Sequence, residues 1–342
     1  MNVHEAREIG RRWVQENKAG IPGYCGAIFA GSSLWYSRSR DWPIGSDLDI
    51  YVYQINPVSR LDARKVPREG VVLEVSYHDF RDISNPRRVL AMPYIAPQFS
   101  RMKPIDDPYR LLAPVYEMVR AHYTDVRWIR KRLRAVHQKA TWNYRTVIEA
   151  SNASVFGKIL RFIGGIHNTA VLLSVAGLRN LTLRRCLVES DIALRKCGAG
   201  ALQEQLLGIL GSRNIPAETV RRHLALMSPL FDRAVVRHKS PYWGDRELFP
   251  ENKTKLFGGV LEMIEEGHHR EAVFFLFFMH HCFQNAILKD GTKRDRVRYF
   301  PLFEQLAELT GIADYECCRQ RAVAGLRILN RFYAKAKELL PG

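Results

Sequence analysis

The stretch from Ala30 to Tyr53, with Glu74 behind it, constrains this chain more than any other part. It reads Ala30-Gly31-Ser32-Ser33, an arginine-bearing turn, then Gly45-Ser46-Asp47-Leu48-Asp49-Ile50-Tyr51-Val52. Side chains alternate along a strand, so Asp47 and Asp49 share one side while Leu48 and Ile50 face the other. Two neighbouring carboxylates repel, and a cation between them is the natural way to keep both ionised. Further on, Val71-Val72-Leu73-Glu74-Val75-Ser76-Tyr77 reads as a second, mostly buried strand interrupted by one acid. A glutamate among valines and leucines needs a partner, because an unpaired buried charge is costly. A metal shared with Asp47 and Asp49 would supply it.

The flanking residues fit that frame. Residues 3 to 19 carry Val3, Ile9, Trp13 and Val14 among charges and stop at Gly20, the pattern of an amphipathic helix. Pro22-Gly23 turns the chain into a strand from Tyr24 to Ala30. Gly31-Ser32-Ser33 follows at once and should open a second helix. Unpaired N–H groups at such a turn can cradle a phosphate, with the hydroxyls of Ser32 and Ser33 as further donors. The plainer alternative is that one serine simply caps the helix. Arg38 and Arg40 either pair with phosphates as charged forks or are solvated loop residues. Asn56-Pro57 makes a turn, and Ser59 to Lys65 suggests a short helix. Six prolines between Ser84 and Pro114 predict an irregular crossing between domains.

The combination of turn, strand and third acid is similar to the nucleotidyltransferases of the DNA polymerase beta type. Their signature is a Gly-Ser turn opening a helix, an acid-apolar-acid strand, and a third acid on a neighbouring strand. Gly31-Ser32, Asp47-Leu48-Asp49 and Glu74 occupy those places, and Ser46 also fits. The likeness covers roughly residues 20 to 80, with a turn between Gly31 and Asp47 a few residues longer than usual. It implies an α+β protein. A small mixed β-sheet forms a catalytic domain over residues 1–115, and an all-helical bundle over 116–342 closes over nucleotide and acceptor. It further implies that Asp47, Asp49 and Glu74 hold two Mg²⁺ ions, for which Mn²⁺ can substitute. A nucleoside triphosphate would dock its phosphates at Gly31, Ser32 and Ser33. Lys158, Arg161, Thr182 and Arg184 are the candidates for basic or hydroxyl groups lent by the helical domain, although Lys158 and Arg161 equally suit the flanks of a core helix. Glu189 and Asp191 are the reserve for the third acid.

Charge bears on the acceptor. The 342 residues carry 52 basic and 35 acidic side chains, a net +17. Residues 1–120 hold 17 basic and 14 acidic residues, whereas 121–342 hold 35 and 21. A basic second domain suits polyanions, triphosphate or nucleic acid, or is only a soluble surface. From His122 to Arg145 the basic residues are interleaved with aromatics. That pattern fits a nucleic-acid face, or a helix whose Trp128, Ile129, Leu133 and Val136 point inward. Aminoglycoside-like polycations want acid, which Glu262, Glu265 and Glu266 offer locally. The leading expectation is transfer of a nucleoside monophosphate to a hydroxyl of a small molecule. An RNA 3′ end is the alternative acceptor, and a non-catalytic nucleotide-binding protein the alternative class. Cys25, Cys186, Cys197, Cys282, Cys317 and Cys318 form no Cys-x-x-Cys pair, and most of them read as buried hydrophobes rather than ligands. Histidines 268–269 and 280–281 sit too far apart on one helix to share a metal. Met1 to Gln15 is charged throughout, unlike a signal peptide. The most apolar run, Ala272 to Phe283, is too short to cross a bilayer. A cytoplasmic protein without a membrane partner is expected. The sequence carries no signal for oligomeric state.

Overall fold

The computed structural model describes residues 1–57, 64–101, 103–149 and 154–340. The chain is α+β: a four-stranded mixed sheet near its start, then helices. It divides into two compact units, Met1–Ala135 with Asn180–Thr182, and Val136–Arg179 with Leu183–Leu340.

In the first unit, helix α1 (Val3–Asn17) begins on a capping box in which the Asn2 side chain and Glu5 serve each other's backbone N–H. The strands are β1 (Tyr24–Phe29), β2 (Leu48–Gln54), β3 (Arg64–Arg68) and β4 (Val71–Asp79), in the order β1-β2-β4-β3. β2 runs parallel to β4, while β1 and β3 are antiparallel edge strands. Ala6, Ile9, Trp13 and Val14 of α1 pack on Phe29, Leu48, Ile50, Val52, Leu73 and Val75. Gly10 lets the helix approach closely, since a Cβ there would lie 2.7 Å from Leu48 Cδ2. With Leu48, Ile50 and Val52 committed to α1, strand alternation presents Asp49 and Tyr51 on the opposite face.

Three local expectations change. The helix expected after Gly31 is one 3₁₀ turn, Ser32–Trp35, because the arginine-bearing segment leaves at once to pair along α1: Val3 N–H donates to Arg40 O and His4 N–H to Arg38 O. Of the helix expected over Ser59 to Lys65, residues 59–63 fall outside the described residues, whereas Arg64 and Lys65 belong to β3. The proline-rich stretch forms two short helices, α2 (Pro86–Leu90) and α3 (Ala96–Arg101), since proline suits the first turn of a helix. Helix α4 (Leu112–His122) follows, its first N–H groups held by the Asp107 carboxylate.

The second unit contains most of α5 (Val126–Glu149), then α6 (Val155–Ala176), α7 (Cys186–Lys196), α8 (Gly200–Leu210), α9 (Ala217–Arg237), α10 (Asn252–Glu265), α11 (His269–Asp290), α12 (Lys293–Leu309) and α13 (Tyr315–Glu338). α6 packs on α7 and α13, and α9 on α11. Tyr144 is enclosed between α6 and α13, where Gly165 and Gly325 leave room for its ring. The segment Phe156–Ala176 is long and apolar enough to cross a membrane by composition, yet 78% of its most apolar window is buried in the protein, as in a core helix. Trp128, Ile129, Leu133 and Val136 are buried as their spacing predicted. Arg132, which like Leu90 and Tyr123 belongs to the first unit, is buried too, its guanidinium donating to Leu90 O and Tyr123 O.

Candidate metal centre

Strand register assembles the acids. Parallel pairing sets Asp49 opposite Glu74, and antiparallel pairing sets Glu74 opposite Lys65, so these three form a row across β2, β4 and β3. Asp47 precedes β2 and joins from the same side. Asp47, Asp49 and Glu74 each offer a carboxylate oxygen, and these atoms all lie within 4.8 Å of one another. Ligands about 2.1–2.4 Å from one ion lie within ~4.8 Å of each other, so the set suits a hard divalent cation. All three acids are half-buried, as a site open to substrate requires.

The row also contains a cation that the sequence did not advertise. Lys65 Nζ lies 2.9 Å from Asp47 Oδ2 and 3.0 Å from Glu74 Oε2. Its side chain is only 2% exposed. The partner expected for Glu74 is therefore present as an ammonium. The signal for it was faint: Arg64-Lys65-Val66-Pro67-Arg68 becomes recognisable as an edge strand only once β4 is beside it, with proline and charge where edges carry them.

The Gly31 turn abuts this row. Gly31 has φ +65° and ψ −152°, a region essentially reserved for glycine. A Cβ at Gly31 would stand 1.8 Å from Asp49 Oδ2. The backbone thus passes against the carboxylate, and any side chain would displace it. The Gly31 N–H donates to Gln98 Oε1 at 3.0 Å, while Gln98 Nε2 donates to Tyr94 O. Ser33 is buried and its hydroxyl donates to Ala30 O, so it closes the turn. Ser32 remains partly exposed. From α1, Arg7 donates to Ser33 O and Tyr36 O and pins the segment. Burial lowers the Arg7 pKa, with Arg11 and Arg38 adding like-charge repulsion. Arg38 and Arg40 are exposed, and Arg40 stacks over the Tyr36 ring at 4.5 Å.

The remaining candidates stand in other settings. Lys158 is buried on α6, 3.4 Å from the Tyr315 ring centroid, and Arg161 lies over Trp142. Arg184, just before α7, lies over Phe275 and against Gly259. Thr182 is grouped with the first unit. Glu189 pairs with Arg179 and Asp191 with Arg195; each acid already has a cation. Glu266 pairs with Arg185. The six cysteines are free; four are buried, and burial pushes the Cys25 thiol up to about 12. His280, buried on α11, meets His223 of α9 with their Nε2 atoms 2.9 Å apart. That pair was invisible in the sequence, being 57 residues apart.

No family model matches the chain, and no curated protein does. Among solved structures it is similar to a nucleotidyltransferase-like protein from Exiguobacterium sibiricum, at 10% identity and a TM-score of 0.32, over 87% of this chain and 88% of that one. So distant a likeness says nothing of activity, and the chemistry rests on the residues themselves.

Proposed function

We propose that this protein transfers a nucleoside monophosphate from a nucleoside triphosphate to a hydroxyl of a small-molecule acceptor, releasing pyrophosphate. The observation that carries this is the gathering of carboxylate oxygens of Asp47, Asp49 and Glu74 within 4.8 Å on β4 and at the start of β2, directly beside the glycine turn that lies against Asp49. These three residues would hold Mg²⁺. When bound, the metal activates the acceptor oxygen and offsets charge on the departing pyrophosphate.

The chain's own groups do the rest. The segment from Ser32 to Arg40 receives phosphate oxygens, with the Ser32 hydroxyl as a donor and Arg38 and Arg40 as positive charge. Glu74 accepts the proton of the acceptor hydroxyl as its oxygen bonds to the α-phosphorus and the bond to pyrophosphate breaks. Rigid strands keep the carboxylates in place, which is where most of the rate advantage of such a site resides.

The test is transfer from each of the four α-³²P-labelled nucleoside triphosphates, with Mg²⁺, into a small-molecule pool and separately into total RNA. Label in small compounds that disappears in Asp49→Asn is the expected result. Label entering only RNA would move the acceptor to a nucleic acid and give the basic residues of 121–342 their purpose. No label in either pool, with metal binding intact, would leave a non-catalytic binding protein.

A further inference from the structure

Lys65 is the feature of the site that nucleotidyl transfer does not explain. A flexible lysine is a poor choice for a buried strand position, because desolvating an ammonium is costly unless it is paired. Here its side chain is 2% exposed and reaches Asp47 and Glu74 at 2.9 and 3.0 Å. At those distances the ammonium and a metal ion on the same carboxylates would stand close enough to repel each other. Three carboxylates and one ammonium leave a net charge of −2, which one divalent cation balances.

We propose that Lys65 is a built-in counter-cation: it holds the acids together without metal and competes with the incoming ion for Asp47 and Glu74. Rested on the assignment of these acids as a metal site, this makes Lys65 a positioning residue that sets metal affinity. It also limits the nucleotide-free protein to one ion; a second must arrive with the negative charge of a triphosphate. Entry of the metal turns the ammonium away from the carboxylates, leaving it available to an anionic substrate.

Mn²⁺ titration followed by electron paramagnetic resonance of the free ion tests this without relying on turnover. Wild type should bind one Mn²⁺. Lys65→Met should bind it at least about 10-fold more tightly, since a nearby positive charge has gone, and Lys65→Arg should resemble wild type. Metal-free Lys65→Met should melt below wild type and recover with Mn²⁺. Should Lys65→Met fail to fold, chemical acetylation of wild type serves: labelling of Lys65, read by mass spectrometry, should rise when Mn²⁺ is added. Equal Mn²⁺ affinity in wild type and Lys65→Met, two ions bound by nucleotide-free wild type, or Lys65 labelling unchanged by Mn²⁺ would each overturn the proposal. Loss of Mn²⁺ binding in Asp49→Asn alongside such a result would leave the metal site standing and remove only the role of Lys65. Intact competition without nucleotide transfer would do the reverse.

Discussion

Replacing Gly31 by alanine puts the proximity of turn and carboxylate to a severe test. The backbone there, at φ +65° and ψ −152°, costs a non-glycine residue on the order of 1–3 kcal/mol. The added methyl would lie 1.8 Å from Asp49 Oδ2 and 2.5 Å from its Cγ. Since non-bonded carbon and oxygen need roughly 3 Å or more, the carboxylate must retreat by over about 1 Å, and forced repacking adds about 1–3 kcal/mol. Misplacing a positioned group by ~1 Å is worth about 10²-fold in rate. Gly31→Ala should therefore lose about 2–6 kcal/mol in urea unfolding, bind Mn²⁺ more weakly and transfer nucleotide about 100-fold more slowly. Ser32→Ala, which leaves the backbone alone, should stay within about 0.5 kcal/mol of wild type in stability. Wild-type Mn²⁺ affinity in a folded Gly31→Ala protein would refute the claim that this glycine exists to admit Asp49.

Other parts of the molecule make independent predictions. Burial holds His167 and His223 down to about 4, and burial together with His223 holds His280 well below the usual imidazole range. An unfolded imidazole binds its proton near 6.5, so each of the first two contributes about 3 kcal/mol above that pH, lost as pH falls from about 6.5 towards 4; urea midpoints that do not fall between pH 7 and 4.5 would contradict this. Gly165→Ala or Gly325→Ala would bring a methyl 2.5 Å from Tyr144 Cε1. Either should cost about 1–3 kcal/mol by overpacking, measurable as a lowered melting temperature. Tyr144→Phe, losing the hydroxyl contact with Thr169 at 3.2 Å, should cost about 1 kcal/mol. Asp47→Asn should abolish transfer while leaving the far-ultraviolet circular dichroism unchanged.

Much of the first unit was legible because its signals are local. Alternation in Asp47-Leu48-Asp49-Ile50 and the single acid in Val71–Tyr77 announced two strands and the faces they bury. The amphipathic pattern of residues 3–19 announced α1. The long helices after residue 115 follow from apolar periodicity in the same way. Where local signals misled, a distant partner had intervened. The segment after Gly31 has serines fit for a helix N-terminus, but α1 draws its backbone away through Val3 and His4, and Arg7 pins it. The prolines after Ser84 read as breakers, yet Asn85 caps α2 ahead of Pro86 and makes proline a helix starter.

The sequence by itself determined the kind of chemistry available: two carboxylates on one side of a strand, a third on another, and a glycine before them. Those properties depend on the period of a strand and the identity of neighbouring residues. Tertiary structure alone decided that the third acid stands opposite Asp49, that Gly31 lies against that carboxylate, and that Lys65 lies among the acids. Each depends on the register among β1, β2, β4 and β3, set by which side chains fill the core against α1. A one-residue slip would turn Glu74 and Lys65 to the other face. Pairing between strands is a property of the whole buried layer, and no single segment encodes it.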